Sequence, residues 1–416
     1  IMKLFLLAFV MGLCNWMHKM EIGYNTGYSI FESPVTSGVL AGLVLGKPIE
    51  GLMIGGTIQL IYVGVIAPGG NFPTDSAIAG ACVAPIALMT GMKPSVAVTL
   101  AVPVGLLGVF LINLRKTLAI RFAHSADKYA QEADTKGIFR CAVIYPALLN
   151  ILVAFLPVFI VVIFGTSVVN IILKYIPDVV MHGLEVSGGM LPALGFALII
   201  HMIGKSQYIP FMLIGFFLCQ MTGWSNLILG VFGVCIAMIV IMLKKEKTDM
   251  KDENMLTKKD LNKCYIRLSL WGETSLNFER MQGIGFCNAM IPALKKLYTT
   301  KEDLSEALKR HLQFFNTELM FGNLIFGPTI ALEEEKAENP DKIPDELITS
   351  FKTGTMGPVA AIGDTIHWGT AWTLGMALIA SMAAKGNMIS IAIMLALFAA
   401  FEVTAYLLFR LGYKTG

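Results

Sequence analysis

SAIAGACVAPIALMTGMKPSVAVTLAVPVGLLGVFLINL, running from Ser76 to Leu114, carries one charged residue, Lys93. Ala142 to Leu173 and Ser206 to Leu243 carry none. A bilayer core of ~30 Å takes roughly 20 apolar residues per helix, so Ser206–Leu243 is long enough for two passes with a turn near Gly223. A buried helix in a large soluble protein can imitate one such run, but not the series. The whole chain agrees: 55% of its 416 residues are hydrophobic, only 15% are charged, and its mean hydropathy is +0.68. Soluble domains carry about 25% charged residues. The expected fold is therefore an all-α integral membrane protein with multiple transmembrane helices.

Other compositional features narrow the function classes. Met2 to Met17 is apolar apart from Lys3 and Asn15, but its basic n-region is weak and no small-residue cleavage site follows, so a retained first helix is expected. Seven cysteines, at 14, 82, 141, 219, 235, 264 and 287, form no close pair, which argues against zinc sites and disulfides alike. A net charge of +3 gives no footing for a nucleic-acid partner. No phosphate-cradling glycine loop, nucleophile elbow or zincin motif is present, so neither cofactor nor metal is expected.

Composition changes at Lys244. Residues 244–254, KKEKTDMKDEN, read as a charged linker between a membrane unit, 1–243, and a second unit, 255–416, whose first part is polar and whose hydrophobicity returns from Thr355. Arg115, Lys116, Arg121, His124 and Lys128, with the lysines after Leu243, place both regions in the cytoplasm by the positive-inside rule. Several segments read as discontinuous or re-entrant. Gly42, Gly46, Gly51, Gly55, Gly56 and Gly64 punctuate one stretch before Pro68-Gly69-Gly70, and the uncharged runs Met281–Leu294 and Leu319–Leu332 are too short to cross and contain Gly and Pro. Such segments point to a transporter's substrate site; close packing through small residues is the simpler alternative. An amphipathic cytoplasmic helix is expected after a capping box at Thr299-Thr300-Lys301-Glu302, with Leu304, Ala307, Leu308, His311, Leu312 and Phe315 inward and Arg310 on the polar face. Glu333-Glu334-Glu335 reads as a solvated helix end.

Acidic residues at the mouths of apolar runs are the informative ones, because an unpaired charge is costly there. Asp75 follows Pro73-Thr74, and Asp364 opens Asp364-Thr365-Ile366-His367-Trp368. Each is equally readable as a helix N-cap. Helical spacing would put Asp364, His367 and Trp368 on one face, a carboxylate, an imidazole and a ring suited to a sugar. Gln59 adds an amide in the glycine-rich segment.

These motifs carry a family resemblance. Residues 1–243 resemble the C-type membrane component of the mannose-type sugar phosphotransferase permeases, through Gly42-x3-Gly46-x4-Gly51-Leu52-Met53-Ile54-Gly55-Gly56-Thr57-Ile58-Gln59, Pro73-Thr74-Asp75 and Gly188 to Ala197. Lys47 and Ile58 depart from the usual residues. From Met255 the chain is similar to the D-type membrane component, through Asn277 to Phe286, His311 to Thr317, and Met356 to Asp364 with Trp368-Gly369-Thr370. The D-like part reads as truncated at its C-terminus. The resemblance implies a sugar permease of the bacterial cytoplasmic membrane that hands its sugar to a cytoplasmic B-type component. That partner is charged through a cytoplasmic A-type component, and no phosphoryl-transfer residue is expected on this chain. The resemblance also implies a homotrimer of C–D units and a sugar site across them, built from Gln59, Thr74, Asp75, Asn316, Asp364, His367 and Trp368. The alternatives are an ion-coupled transporter using Glu21, Glu32 or Glu50 as proton relays, and a surface receptor without transport. Limited proteolysis of inside-out vesicles should cut first within 244–254; cleavage only from the outer face would reverse the topology.

Overall fold

The computed structural model describes residues 2–65, 73–175, 217–218, 221, 255–340 and 342–415. The linker 244–254, nearly all of Ser206–Leu243, the Gly188–Ala197 motif and Pro68-Gly69-Gly70 lie outside these residues, as do Cys219 and Cys235. Among the described residues the structure is helical apart from two isolated bridges, Asn277 with Met281 and Met281 with Phe315. The first unit supplies α1 (Met2–Lys19), α2 (Pro34–Leu45), α3 (Pro48–Tyr62), α4 (Ser76–Thr90), α5 (Pro94–Leu118), α6 (Ile120–Gln131) and α7 (Leu156–Tyr175). The second supplies α8 (Lys258–Trp271), α9 (Gly283–Leu297), α10 (Lys301–His311), α11 (Leu319–Glu338), α12 (Asp345–Gly363), α13 (Thr373–Ala384) and α14 (Ile389–Thr415).

Among the described residues three helical stretches are long and apolar enough to cross a membrane: Pro94–Gln131, Thr135–Gly165 and Ile389–Thr415. A fourth arises if Tyr24–Glu32 and Pro34–Leu45, bent by 63° at their junction, form one span. That bend is where the chain breaks. The two short runs of the second unit do not break, contrary to expectation: α9 runs through Pro292, and α11 runs through Pro328 to Glu338. Nor are the glycines of α2 and α3 chain breaks, apart from Gly46, which caps α2 at φ +79°. A Cβ on Gly38 would lie 2.2 Å from the Gly51 carbonyl oxygen, and one on Gly56 would lie 2.5 Å from the Ala384 nitrogen. Small residues thus let α3 press against α2 on one side and α13 on the other.

One apolar cluster joins the two units, while the first unit also has a core of its own around Leu7, Ile58 and Ala84. Ala123, Ala126 and Ala130 on α6 pack into the same cluster as Ile284, Ala307, Leu308 and Phe326. Arg280 clamps this contact with a bidentate pair to Asp127 at 2.5 and 2.7 Å. Two of the basic residues counted toward orientation are interior groups: Arg115 and Lys116 are 3% and 2% exposed. The five described cysteines are all free and buried, as packing residues.

The amphipathic helix is present as α10, with its start one residue later than the capping box suggests. Thr300 is the N-cap, accepting from the Asp303 amide at 3.1 Å and donating to its carboxylate at 2.6 Å. Arg310 is not on the solvent face, and of Glu333-Glu334-Glu335 only Glu335 reaches solvent, beside the exposed Lys342. Arg310 donates to both Glu333 oxygens at 2.8 and 2.9 Å, His311 Nε2 donates at 2.8 Å, and the Tyr298 hydroxyl at 2.6 Å. Glu334 accepts from the Leu256 amide and the Tyr413 hydroxyl. Neighbouring donors, not water, hold these carboxylates inside.

Burial and the nearby Lys352 ammonium push His311 down to about 4. Burial alone would raise Glu333, but hydrogen bonds from His311 and Arg310 hold it below the usual carboxylate range. Both groups bind fewer protons folded than unfolded in acid, so stability falls as pH drops from 6.5 toward 4 and falls further below 4.5. Thermal unfolding in detergent should show that decline, and a flat melting temperature over this window would contradict it. Glu333→Ala should cost about 3–5 kcal/mol, because it leaves the buried Arg310 with only the half-exposed Asp345 as a counter-charge.

Candidate functional site

A cavity of about 90 Å³ lies between the two units. Tyr24, Tyr28, Glu32, Gln59, Tyr62 and Thr74 line it from the first unit, and Glu273, Gln282, Asn316, Glu318, Asp364 and Trp368 from the second. Both walls use a π-helical turn, Tyr24–Tyr28 on one side and Asp364–Trp372 on the other. Such turns shift the side chains that follow them by a residue and recur at functional sites. The first is entered through Gly23 at φ +68°.

The second turn revises the reading of Asp364. No helix starts there: α12 continues through Asp364 into α13, so Asp364 caps nothing. Asp364 and Trp368 face the cavity, but His367 does not. His367 is fully buried, and its Nδ1 donates to Glu318 at 2.8 Å. Glu318 also caps α11, accepting from the Met320 and Phe321 amides at 3.0 and 2.8 Å. The indole of Trp368 donates to the Tyr24 hydroxyl at 2.8 Å, closing the seam between the units, with the Tyr28 ring edge-on at 6.2 Å.

Asp75 also differs from expectation. It is the N-cap of α4, with Oδ1 accepting from the Ile78 amide at 3.2 Å, and Oδ2 is 2.6 Å from Lys19 Nζ. It borders a separate cavity of about 10 Å³ together with His18, Lys19, Glu21 and Arg115. Thus Gln59, Thr74, Asn316, Asp364 and Trp368 meet in one cavity, whereas Asp75 and His367 stand behind its wall. Gln59 is oriented by Ser33, whose hydroxyl donates to its carbonyl at 2.8 Å.

Sequence reasoning misses Tyr24, Tyr28, Glu273, Gln282 and Glu318. Tyr24 and Tyr28 have the helical spacing that could have shown them, and Gln282 lies inside the quoted Asn277–Phe286 motif. Nothing near Glu273 marks it. Burial, and then the Glu21 carboxylate, push Glu273 well above the usual carboxylate range. Gln282 orients it, donating to Glu273 at 2.6 Å and to the Thr317 carbonyl at 2.7 Å. Among the described residues no cluster of His, Cys, Asp and Glu is arranged to hold a metal.

Membrane-length helices together with a polar, aromatic-walled cavity define a multi-pass helical membrane protein with an internal polar cavity. The chain belongs to the mannose/fructose/sorbose family of phosphotransferase-system membrane components, with a C-type component joined to a D-type one. Residues 1–239 match the family described as the PTS system sorbose-specific IIC component, and residues 255–416 match the mannose/fructose/sorbose family IID component. The second part is 43% identical to the fructose permease IID component of Bacillus subtilis, over 40% of this chain and 60% of that one. The first part is 29% identical to the mannose-specific EIIC component of Escherichia coli K12, over 58% of this chain and 88% of that one. A cryo-EM structure of the mannose transporter ManYZ with microcin E492 matches at 39% identity and a TM-score of 0.38, over 39% of this chain and 60% of that one. The chain spans about 60% of the length of the IID relatives it matches first. The family's components are integral proteins of the cytoplasmic membrane, and so is this chain.

Asp75→Asn keeps an N-cap but leaves Lys19, 6% exposed, without its counter-charge. Breaking a buried pair this way costs about 3–5 kcal/mol. Reduced thermal stability is the expected outcome; an unchanged melting temperature would mean the pair contributes nothing to the fold.

Proposed function

We propose that this chain is the sugar permease of a phosphoenolpyruvate-dependent phosphotransferase system. It binds a mannose-class sugar in the cavity between its units and presents it for phosphorylation by a cytoplasmic B-type component, which is charged through an A-type component. The observation that carries this reading is the cavity itself. Amide, hydroxyl and carboxyl groups from Gln59, Thr74, Asn316 and Asp364 meet an indole, that of Trp368, at one site to which C-like and D-like parts both contribute. A pyranose offers hydroxyls around its rim and a C–H face for a ring, and this lining complements both. In this reading Asp75 and His367 are positioning residues. Asp75 fixes the start of α4 and Lys19, while His367 holds Glu318 against the cavity wall. Residues 1–243 and 255–416 act as the two membrane components, tied by the 244–254 linker, and the C–D units assemble as a homotrimer.

Two measurements test the reading. In vesicles supplied with the soluble phosphotransferase proteins, uptake should require phosphoenolpyruvate, deliver phosphorylated sugar and survive collapse of ion gradients. Uptake that follows an ion gradient and yields free sugar would overturn it. Asp364→Asn and Gln59→Leu should each weaken sugar binding about ten- to hundredfold with little change in melting temperature. Parental affinity in both would remove these residues from the site.

A further inference from the structure

α8 and α9 run antiparallel, so the start of one and the end of the other lie together. Lys296 is 2.9 Å from Asp260, and further along Arg267 donates to the Asn288 carbonyl at 3.2 Å. α8 also runs antiparallel to α14. The Leu256 amide and the Tyr413 hydroxyl meet on Glu334, and Asn262 accepts from the Tyr406 hydroxyl at 3.1 Å. Deeper, Tyr265 and Ser269 donate to Glu402 at 2.7 and 2.8 Å. α14 is 27 residues long, and Glu402 is at its middle. A bilayer core takes roughly 20 of those residues, leaving about three at each end for the headgroup zone. Depth along α14 therefore fixes depth along α8: Lys258 and Lys259 stand level with headgroups, and Ile266 level with acyl chains. The headgroup end carries six exposed lysines: Lys258, Lys259 and Lys263 on α8, Lys295 and Lys296 on α9, and Lys414 on α14. Asp260 lies among them, already bound to Lys296, Lys263 and the Thr257 hydroxyl. One aspartate cannot neutralise six ammonium groups. Below the lysines the surface turns apolar, with Ile266 exposed on α8 and Val403, Leu407 and Leu411 exposed on α14.

From this placement we infer that the lysine-bearing end of α8 and α9, with the adjoining flank of α14, is a binding site for an anionic phospholipid. Lys259, Lys263 and Lys296 receive the phosphodiester, and the acyl chains lie against Ile266 and the exposed side chains of α14. Lys259, Lys263 and Ile266 follow one another at helical spacing, so a single face of α8 presents charge at headgroup depth and hydrocarbon below it. That is the profile of an amphiphile with a negative head. A zwitterionic lipid would bring its own ammonium into a field that is already positive, whereas an anionic one meets that field with opposite charge. An acidic soluble protein could reach the lysines but not Ile266, which lies at acyl depth; depth therefore favours the lipid. α8 is too short to cross the membrane and is held to α14 through hydroxyl and carboxyl groups, so a lipid bound along its outer face would fix this helix against the span. Nothing in the inference depends on what the cavity between the units binds.

The test is native mass spectrometry of the full chain, titrated in detergent with dioleoylphosphatidylglycerol or dioleoylphosphatidylcholine. In about 0.1 M ammonium acetate the phosphatidylglycerol should bind at least about tenfold more tightly, and the preference should shrink at about 0.5 M. Combining Lys259→Gln, Lys263→Gln and Lys296→Gln should bring the two lipids to equal affinity. The same three positions changed to arginine should keep the preference, as should Lys128→Gln with Lys136→Gln, outside this end. Equal affinity for the two lipids in the parent chain would overturn the inference. So would loss of the preference in the arginine variant, which would make fold and not charge the cause, or in the Lys128 and Lys136 variant, which would make the attraction general. Free glycerol 1-phosphate that displaces phosphatidylglycerol at equal concentration would mark a soluble phosphate site instead. A glutamine variant that keeps its lipid preference but loses an acidic soluble partner would make this surface a protein dock, and the lipid site would fall.

Discussion

Everything in this structure depends on how charge is kept in an apolar interior. An ion moved out of water costs several kcal/mol even after relaxation, and only a partner in good geometry offsets that. The chain meets the condition within each unit. Lys19 on α1 reaches the cap of α4, and Arg115 on α5 reaches back to Glu21. In the second unit Arg310 and His311 on α10 close on Glu333 of α11, and His367 closes on Glu318 at the start of α11. These contacts tie together residues 22 to 96 positions apart, from His311 with Glu333 to Arg115 with the Lys19 carbonyl. Each admits one register only, since a slip would strand a charge.

Between the units the contacts are of another kind. Arg280 and Asp127 form a bidentate pair, but their side chains are 21% and 35% exposed, so water screens the pair more than those buried inside each unit. The Trp368–Tyr24 hydrogen bond is neutral, worth about 0.5–1.5 kcal/mol. What holds the seam is apolar packing: Gly56 against Ala383 and Ala384, and the alanine face of α6 in the core of the second unit. The costly, register-setting interactions are thus inside each unit, and the cavity lies where the contacts are cheapest to rearrange.

How much of this was legible in the sequence depended on how local the deciding interaction was. Membrane helices were legible because desolvation acts on composition. The α10 start was legible to within a residue because a cap is a contact between neighbours. Glu333 was not, because a charge run looks the same whether water or Arg310 receives it, and Arg310 is 23 residues away. The glycines of α2 and α3 were legible as special but not as to why: chain breaks and close packing select the same residue. Gly38 and Gly51 become a packing pair only once α2 and α3 fold back on each other.

Asp75 and Asp364 show the same limit most sharply. Both precede an apolar run, both sit beside a threonine, and both are compatible with an N-cap. Asp75 caps, because Pro73 and the extended backbone at Asp75 itself interrupt any preceding helix, and Lys19 then compensates its second oxygen. Asp364 cannot cap, because α12 arrives from upstream with its hydrogen bonds intact and continues through it. With no orphan amides to accept from and no ion pair among the described residues, its carboxyl is left toward the polar cavity beside it. The π-helical turn that starts there carries His367 back to Glu318 while leaving Trp368 beside Asp364 in the wall. Two aspartates alike in sequence thus take opposite roles, decided by whether a helix is already present when the chain reaches them.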